Sequence, residues 1–321
     1  VLPSGELLRL ATLGSGSGWF SADGPGPSLR GIMRGFVGAS GGLGIFTRCA
    51  VKLFNYPGPP KPVTSGTVLD VKTEPLDNFA LCMCVFPDQE TYTDATLKVG
   101  EAELGYIHHK TSHPLLMAFL APRFWRKLTD HGALRDTVLA LRNQFTIILA
   151  ADTQRELEYQ KKTLEAIVSD QGGFVLNFDA FPSLQQVLWM GMIRSSVTPM
   201  VFRATGNYMV IYGADETVDN QVLHENLGEP LVRKWTEEGT ILDEMADDIW
   251  APSYENINRS HCEHILLFDH RDRDHGRAMV EAVVESETLA IEKYLDPGFG
   301  IIAPHARKAF SPVAQNYNCL L

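Results

Sequence analysis

The sequence lacks the features of a membrane span and of a nucleic-acid-binding surface. No apolar run approaches the roughly 18–20 residues that cross a bilayer. The longest candidate, Pro114–Pro122, has nine residues and is bounded by prolines. Lys and Arg number 28 against 39 Asp and Glu, so the formal net charge of -11 offers no excess of positive charge for phosphates. What remains is a chain of 321 residues, 45% of them hydrophobic, which is long enough for about two globular domains.

Cysteine is scarce, and its pattern argues against a disulfide framework or a zinc knuckle. Five cysteines occur, an odd number without a CxxC pair: Cys49, Cys82, Cys84, Cys262 and Cys319. Cys82 and Cys84 are two apart in an apolar run, so on a strand they would share one face as small buried hydrophobes. Glu6 and Arg9 interrupt the stretch where a signal peptide needs an uncharged core. We therefore expect a reduced, cytoplasmic protein.

Composition divides the chain into three parts. Residues 1–63 are rich in glycine and proline, and they end in Tyr56–Pro62, where four of seven residues are proline. Such a stiff segment is typical of a linker. Residues 64–300 alternate strand-like and helix-like patterns, and residues 301–321 form a short mixed tail. These three ranges are the predicted domains.

The central part repeats one pattern three times: an apolar strand, an acidic turn and an amphipathic helix. The predicted strands are Phe79–Phe86, Phe145–Ala151 and Ile265–Phe268, followed by the helices Gln89–Leu104, Gln154–Ser169 and Gly276–Tyr294. Asp88 and Asp152 stand where a helix N-cap belongs. Gly173–Asn177 and Asn207–Tyr212 add short strands. Repeated units of this kind predict an antiparallel sheet with helices on one face, an α+β fold.

A glycine-rich run is the most informative local feature. Within Gly38–Gly44, four of seven residues are glycine, and an apolar strand follows directly. No Lys-Ser/Thr pair is present, which excludes a Walker A loop, and no helix follows, which excludes the dinucleotide fingerprint. From the residues alone, two readings stay open. The run is a tight structural turn, or it is a cradle whose bare N–H groups contact a ligand.

Resemblance to a known family favours the second reading. The run Gly38–Thr47, with Ala50–Leu53 and the proline cluster behind it, resembles the closing segment of the flavin-binding domain in the FAD-linked oxidases. This is the family of vanillyl-alcohol oxidase and p-cresol methylhydroxylase (PCMH), which includes glycolate-oxidase-type and D-lactate dehydrogenases. Six positions match the family motif: Gly38, Gly41, Leu43, Gly44, Ile45 and Thr47. Three positions depart from it: Ser40, Gly42 and Phe46.

Two further segments carry the same resemblance. Val1–Arg9 resembles the family's Val-Leu-Pro-Asp-Gly-Glu strand and turn. Far downstream, Ser311–Asn318 resembles a Gly-Pro…Asn-Tyr-His segment near the family's carboxyl end. The three matches fall in the family's order and at plausible separations, so together they are far more specific than one glycine run.

The resemblance implies a fold and a cofactor. Residues 1–63 would be the C-terminal half of a PCMH-type FAD-binding domain. Residues 64–300 would be a ferredoxin-like antiparallel-sheet cap domain, and the tail would return towards the flavin. The implied FAD-binding residues are Gly38, Ser40, Gly41, Gly42, Gly44, Ile45, Thr47 and Tyr317. The family's Gly-rich subdomain for the FAD pyrophosphate has no counterpart here. We therefore expect a partner chain or a missing amino-terminal segment to complete the site, and an oligomeric assembly.

A histidine cluster precedes the third predicted strand. His261 and His264 are three apart, with Glu263 between them. Near a strand entrance such residues can bind a divalent metal or act as base and orienter. In some 2-hydroxy-acid dehydrogenases of the family, histidines in this region bind a metal and help to deprotonate the substrate hydroxyl. The resemblance therefore implies these roles for His261 and His264, and the alternative is histidines hydrogen-bonded at a domain seam.

Arginines and further histidines are weaker candidates. Arg194 and Arg203 flank an apolar stretch, and either side chain could hold a substrate carboxylate or form a surface salt bridge. His108, His109 and His113 form a loose trio that reads as helix-end or loop histidines, or as the lining of a substrate entrance.

The sequence thus predicts an FAD-dependent oxidoreductase that oxidises an alcohol or a 2-hydroxy acid by hydride transfer to flavin. Catalysis would rest on His261, His264, Arg194 and Arg203. A second hypothesis is a non-catalytic cap subunit that completes a flavoenzyme whose FAD-binding part is a separate chain.

Overall fold

The computed structural model describes residues 1–9, 76–111, 141–178, 208–241, 249–254 and 259–296. It also describes residue 257 and isolated residues or short stretches between 45 and 73 and between 185 and 192. The chain divides into two compact units, Val1–Tyr56 and Pro57–Leu321. The division falls at the start of the proline-rich segment.

The first unit begins with a tight chain reversal. The Gly5 N–H donates to the Leu2 carbonyl at 2.9 Å, and the Leu2 N–H donates to the Glu6 carbonyl at 2.8 Å. Gly5 has a φ of 86°, a left-handed conformation that glycine adopts without a Cβ clash. Val1 and Ile45 exchange two backbone hydrogen bonds, from Val1 N to Ile45 O at 2.6 Å and from Ile45 N to Val1 O at 2.8 Å. The predicted turn after Val1 is confirmed.

The second unit contains the regular elements. Its strands are β1 (Thr64–Ser65), β2 (Lys72–Thr73), β3 (Phe79–Val85), β4 (Ile107–Thr111), β5 (Gln144–Ala150), β6 (Phe174–Asn177), β7 (Tyr208–Glu216), β8 (Ile249–Tyr254) and β9 (Arg259–Leu267). Its helices are α1 (Gln89–Glu101), α2 (Gln154–Asp170), α3 (Val218–Glu237) and α4 (Arg273–Glu292). None of these four helices combines the length and hydrophobicity that crossing a bilayer requires.

Strands β3–β9 form one antiparallel sheet built from two similar halves. Its strand order is β6-β3-β5-β4-β8-β9-β7, and β1 and β2 pair separately. Numbered within the unit β3-α1-β4-β5-α2-β6, the first four neighbours read 4-1-3-2, the order of a ferredoxin-like βαββαβ fold. The unit β7-α3-β8-β9-α4 repeats this order as 2-3-1. The halves meet where β4 pairs with β8. The predicted antiparallel α+β fold with internal strand–helix repeats is confirmed.

The helices begin at side-chain caps that satisfy their first N–H groups. The Asp88 carboxylate accepts from the Thr91 N–H at 2.8 Å, as predicted for α1. Helix α2 is capped by the Thr153 hydroxyl rather than by Asp152. Thr217 caps α3, and Asp272 caps α4. Asp152 was the wrong choice because a hydroxyl one residue later serves the same N–H groups.

All four helices cover one face of the sheet, which we call the helix face. The core there includes Cys84 and Phe145 from the sheet and Leu157, Leu164 and Val168 from α2. Each such apolar side chain contributes roughly 1.5–3 kcal/mol when it is fully buried. Cys82 packs against the same cluster, so the prediction that Cys82 and Cys84 share a buried face is confirmed. The face on the other side of the sheet is called the far face below.

The structure corrects three sequence predictions. The strand–helix pattern occurs four times, because β7 and α3 form a unit that the sequence prediction reduced to a short strand. His108 and His109 lie in strand β4, not at a helix end or in a loop. Strand β9 begins at Arg259, six residues before the predicted start at Ile265, so both histidines of the cluster lie inside the strand. These strands were missed because they contain several polar residues, which do not give the apolar pattern of a buried strand.

Candidate functional site

His261 and His264 point to opposite faces of the sheet. Successive side chains on a strand alternate, and the two residues are three apart in β9. His264 lies on the helix face, where its ring packs against Gly228 of α3 and lies 5.9 Å from the Tyr212 ring. His261 therefore lies on the far face. Both side chains are buried.

His261 forms a pair with Glu263, its neighbour on the far face. His261 Nε2 lies 2.8 Å from Glu263 Oε1, and both side chains are almost fully enclosed. A carboxylate can only accept, so Nε2 carries the proton and the lone pair of His261 is on Nδ1. A carboxylate that orients an imidazole in this way holds its tautomer and stabilises its protonated form. The pair is thus built to accept a proton at Nδ1.

The backbone beside this pair is irregular on the side of β7. The ladder between β7 and β9 shifts between Tyr212 and Ala214, opposite Glu263 and Cys262. On the other side, the register between β8 and β9 is the same before and after Ala251 and Pro252. Pro252 has no N–H to donate to a ladder. Bulges often lie beside functional sites, where they re-aim side chains.

The β7 bulge turns one aromatic ring away from the far face. Tyr212 pairs with Glu263, so a regular ladder would place both side chains on the same face. Instead, the Tyr212 ring centroid lies 4.9 Å from that of His224, a residue of helix α3 on the helix face. Tyr212 has a φ of 69°, an unusual conformation for a residue with a Cβ. In this strained conformation, the Tyr212 ring lies away from Glu263.

A second histidine lies in the same transverse row as His261. His109 pairs with Pro252, and the register of the flanking residues places Pro252 opposite His261. His109 and His261 therefore share the far face, roughly 10 Å apart between Cα atoms. Burial lowers the pKa of His109 to about 3, and the nearby His108 and His261 add to this effect. His109 is therefore a neutral imidazole at physiological pH.

The helix face carries a separate buried polar network that joins the two halves of the sheet. Lys110 Nζ lies 2.5 Å from Glu225 Oε2 and 4.7 Å from the centroid of the Tyr92 ring. Gln221 donates to the other oxygen of Glu225 at 2.8 Å and accepts from the Ser260 hydroxyl. Because the charges are paired and hydrogen-bonded, this network is structural rather than a reactive centre.

A joint metal site at His261 and His264 does not form within β9. The two imidazoles lie on opposite faces of the sheet, so one ion cannot contact both. Among the residues that the structure describes, no group of three or more His, Cys, Asp or Glu side chains is arranged to hold a metal ion. The sequence prediction failed here because it placed the histidines before the strand, where a loop would let them converge.

Of the predicted flavin cradle, the structure describes Ile45 and Thr47. The N–H and carbonyl of Ile45 bond to Val1, and contact of its main chain with a cofactor stays a prediction. Its side chain is 72% exposed, and Thr47 is also exposed. An apolar side chain beside a hydroxyl fits the apolar rings and polar edges of FAD.

The remaining predicted site residues lie outside the described part of the chain. They are Gly38, Ser40, Gly41, Gly42, Gly44, Arg194, Arg203 and Tyr317. Their assignment stays a prediction. The sequence predicted Glu263, with His261 and His264, as part of a possible metal or base-and-orienter cluster, and His109 as a possible lining residue of a substrate entrance. It did not single out the His261–Glu263 pair or the row that His109 shares with His261. Glu263 is two residues from His261, and His109 alternates with Ile107 and Thr111 as a strand residue would.

Comparison with known proteins gives structural matches alone. No protein-family model and no curated protein matches the sequence. Among solved structures, the chain is similar to alkyldihydroxyacetonephosphate synthase in two crystal forms, at 11% identity and a TM-score of 0.37 and at 12% and 0.39. These matches cover 67% and 78% of this chain but 40% and 44% of the synthase chains.

A third similar structure is 4-ethylphenol oxidase from Gulosibacter chungangensis in complex with isoeugenol, at 10% identity and a TM-score of 0.46. The match covers 75% of this chain and 49% of the oxidase. Both of these proteins are PCMH-type FAD-binding oxidases. The likeness concerns the fold alone, and the chain spans less than half the length of each of these structures.

Proposed function

We propose that this protein is an FAD-dependent oxidoreductase that oxidises an alcohol or a 2-hydroxy acid. The observation that carries the proposal is the His261–Glu263 pair, an imidazole oriented by a carboxylate on the far face of the sheet. The order of the three family-like segments supports the cofactor, because each resembles a part of the FAD-linked oxidases. We infer the reaction type because His261 would accept the proton of a substrate hydroxyl and FAD would accept the hydride.

The role of His261 is to take the proton of the substrate hydroxyl at Nδ1. Glu263 keeps the other ring nitrogen protonated and stabilises the positive charge that His261 gains. Arg194 or Arg203 would hold the carboxylate of an acidic substrate through paired hydrogen bonds. His264 contributes through packing, because it lies under α3 on the opposite face.

The FAD-holding residues are proposed from the family motif: Gly38, Ser40, Gly41, Gly42, Gly44, Ile45, Thr47 and Tyr317. Bound FAD supplies the acceptor for the hydride that leaves the substrate C–H bond. The glycines permit close approach of the backbone to the cofactor, and Ile45 offers an exposed apolar side chain. The proposal does not require a metal ion.

The test of cofactor identity is purification of the chain, release of any bound small molecule and mass spectrometry. The proposal predicts a visible flavin absorbance and a released mass equal to that of FAD. Gly44→Val is the matched variant, since a branched side chain would block backbone approach to the cofactor. A folded Gly44→Val protein that holds as much flavin as the wild type would contradict the cradle.

A second candidate function is a non-catalytic cap subunit that completes a flavoenzyme with a separate FAD-binding chain. Exposed apolar side chains in the first unit favour it: Leu7, Leu8, Ile45 and Leu53, the last at 84% exposure. The second function requires these side chains to form one patch, since a contiguous apolar patch marks a surface that a partner covers. Flavin absorbance of the chain alone, compared with that of the chain co-purified with its cellular partners, separates the two functions.

We also propose a cytoplasmic location and an oligomeric assembly. The five cysteines are an odd number without a CxxC pair, which suits a reducing compartment. Light scattering of the purified chain would give its assembly state. Fractionation of cells that express the tagged protein would give its location.

A further inference from the structure

His109 is a buried imidazole on the far face that the proposed mechanism has not yet used. It lies in one transverse row with His261, on the other side of Pro252. His261 is also one of the groups that lower the pKa of His109, after burial and His108. The row therefore brings two imidazoles to one place on the sheet.

The two imidazoles differ in chemistry. His261 has Glu263 behind it, which stabilises the protonated ring. His109 stays neutral, because burial lowers its pKa to about 3. A neutral imidazole donates one N–H and does not compete for the substrate proton. Pairs of titratable groups whose environments separate them in this way commonly divide acid and base roles.

We propose that His109 is a second substrate-contacting residue, whose N–H donates to the substrate oxygen from which His261 removes the proton. The proposal rests on the proposed function. The O–H bond breaks and its proton goes to His261, while the C–H bond breaks and its hydride goes to bound FAD. The substrate oxygen and carbon that lose these hydrogens become a carbonyl group. A donor aimed at the oxygen stabilises the negative charge that develops there before the hydride leaves.

The kinetic test compares single-turnover flavin reduction in three variants of β4. Glycolate, D-lactate and 4-hydroxybenzyl alcohol are the probes. His109→Phe keeps an aromatic ring without a donor and should slow the limiting rate about 100-fold or more with flavin retained. His109→Gln restores an N–H donor and should recover to within about 10-fold of wild type. His108→Phe, equally buried but on the helix face, is the matched control and should change the rate less than about two-fold.

A second readout does not require turnover. In protein labelled with 15N-histidine, the side-chain signals of His109 and His261 should shift together during titration with a probe that binds, with one common midpoint. His264 and His224, on the helix face, should not shift with that midpoint. A response of His261 without His109, or no response of His109 to any of the three probes, overturns the proposal.

The outcomes separate this inference from the proposed function. If the chain holds no flavin while both imidazoles respond to a probe together, the two-histidine site stands and the oxidoreductase proposal fails. If flavin is bound and reduced, and His109→Phe reduces it as fast as wild type, the oxidoreductase proposal stands and the role of His109 is overturned.

Discussion

Gly228 of helix α3 lies against the imidazole of His264, and a Cβ at position 228 would stand 2.6 Å from Cδ2 of that ring. The helix and the strand approach this closely because position 228 carries no side chain. The contact fixes His264 as part of the packing between α3 and β9. His264 is thus held on the helix face, whereas His261 lies on the far face.

Gly228→Ala should destabilise the protein. Alanine gains about 1 kcal/mol in helix propensity, but forcing a methyl group into a packed core costs typically 1–3 kcal/mol. Because the His264 ring is buried, we expect a net loss of up to about 2 kcal/mol in the free energy of unfolding, measured with urea.

Gly276→Ala is the matched control for this prediction. Gly276 also lies in a helix, α4, but a Cβ there meets nothing within 4 Å. This change should stabilise the protein by up to about 1 kcal/mol. In a His264→Ala background, Gly228→Ala should lose its cost. A Gly228→Ala variant as stable as Gly276→Ala would show that the close contact has no energetic consequence.

The buried pair Lys110–Glu225 should respond very differently to single and double substitution. Their side chains are 3% and 10% exposed, so Lys110→Met leaves a buried carboxylate without its counter-charge. Breaking a buried pair from one side costs typically about 3–5 kcal/mol. Adding Glu225→Gln should recover much of the loss, which a double-mutant cycle measures.

An exposed ion pair provides the comparison for Lys110. Lys161 and Glu158 are one helical turn apart on α2 and largely exposed. Lys161→Met should change the free energy of unfolding by less than about 1 kcal/mol. Equal losses for Lys110→Met and Lys161→Met would contradict the role of burial.

Elements with apolar sequences were predicted well, and elements whose buried residues are polar were missed. Strands β3 and β5 are continuous apolar runs, and Leu157, Leu164 and Val168 recur at helical spacing. These elements were therefore predicted almost to the residue. Strand β4 was missed because His108, His109 and Lys110 are polar. Nothing in their own sequence reveals that Glu225, more than 100 residues later, neutralises Lys110.

The site was predicted only in part for a related reason. The histidine cluster was recognised, but the start of β9 was placed after it. Side chains alternate on a strand, so once the cluster lies inside β9, His261 shares a face with Glu263. In the predicted loop, His261 could instead converge with His264. His109 and His261 share a row because β4 and β9 both pair with β8. The local sequence around either histidine does not contain this strand order.

Glu287 should make stability depend on pH. It is 1% exposed, and neither carboxylate oxygen has a hydrogen-bond partner among the described residues. Burial raises its pKa from the ordinary 4.5 to about 7. A raised pKa means that the folded state holds the proton more tightly, so this contribution is complete below pH 4.5 and is lost as pH rises through 7.

The loss is on the order of 3 kcal/mol, since each unit of pKa difference corresponds to about 1.4 kcal/mol. Glu287→Gln should remove this part of the slope and stabilise the protein at pH 8. Glu292→Gln, exposed on the same helix, is the control. Urea unfolding from pH 4.5 to 8 measures the effect, and an unchanged slope in Glu287→Gln would contradict it.

Glu263→Gln should impair proton removal while leaving the fold intact. The amide cannot stabilise a protonated His261 and permits the wrong ring tautomer, for which losses of roughly 10²–10⁴ in rate are typical. Flavin content and unfolding free energy should stay close to wild type. Stopped-flow reduction of the bound flavin measures the rate, and an unaltered rate would remove Glu263 from the mechanism.

The central claim is that His261, and not His264, takes the substrate proton in a flavin-dependent oxidation. Its most direct test is anaerobic reduction of bound flavin by glycolate, D-lactate and 4-hydroxybenzyl alcohol, followed at the visible flavin band. We predict that His261→Ala keeps its flavin and loses reduction by about 100-fold or more, while His264→Ala reduces flavin at a rate near wild type. Equal reduction by His261→Ala and wild type, or loss confined to His264→Ala, would contradict the account.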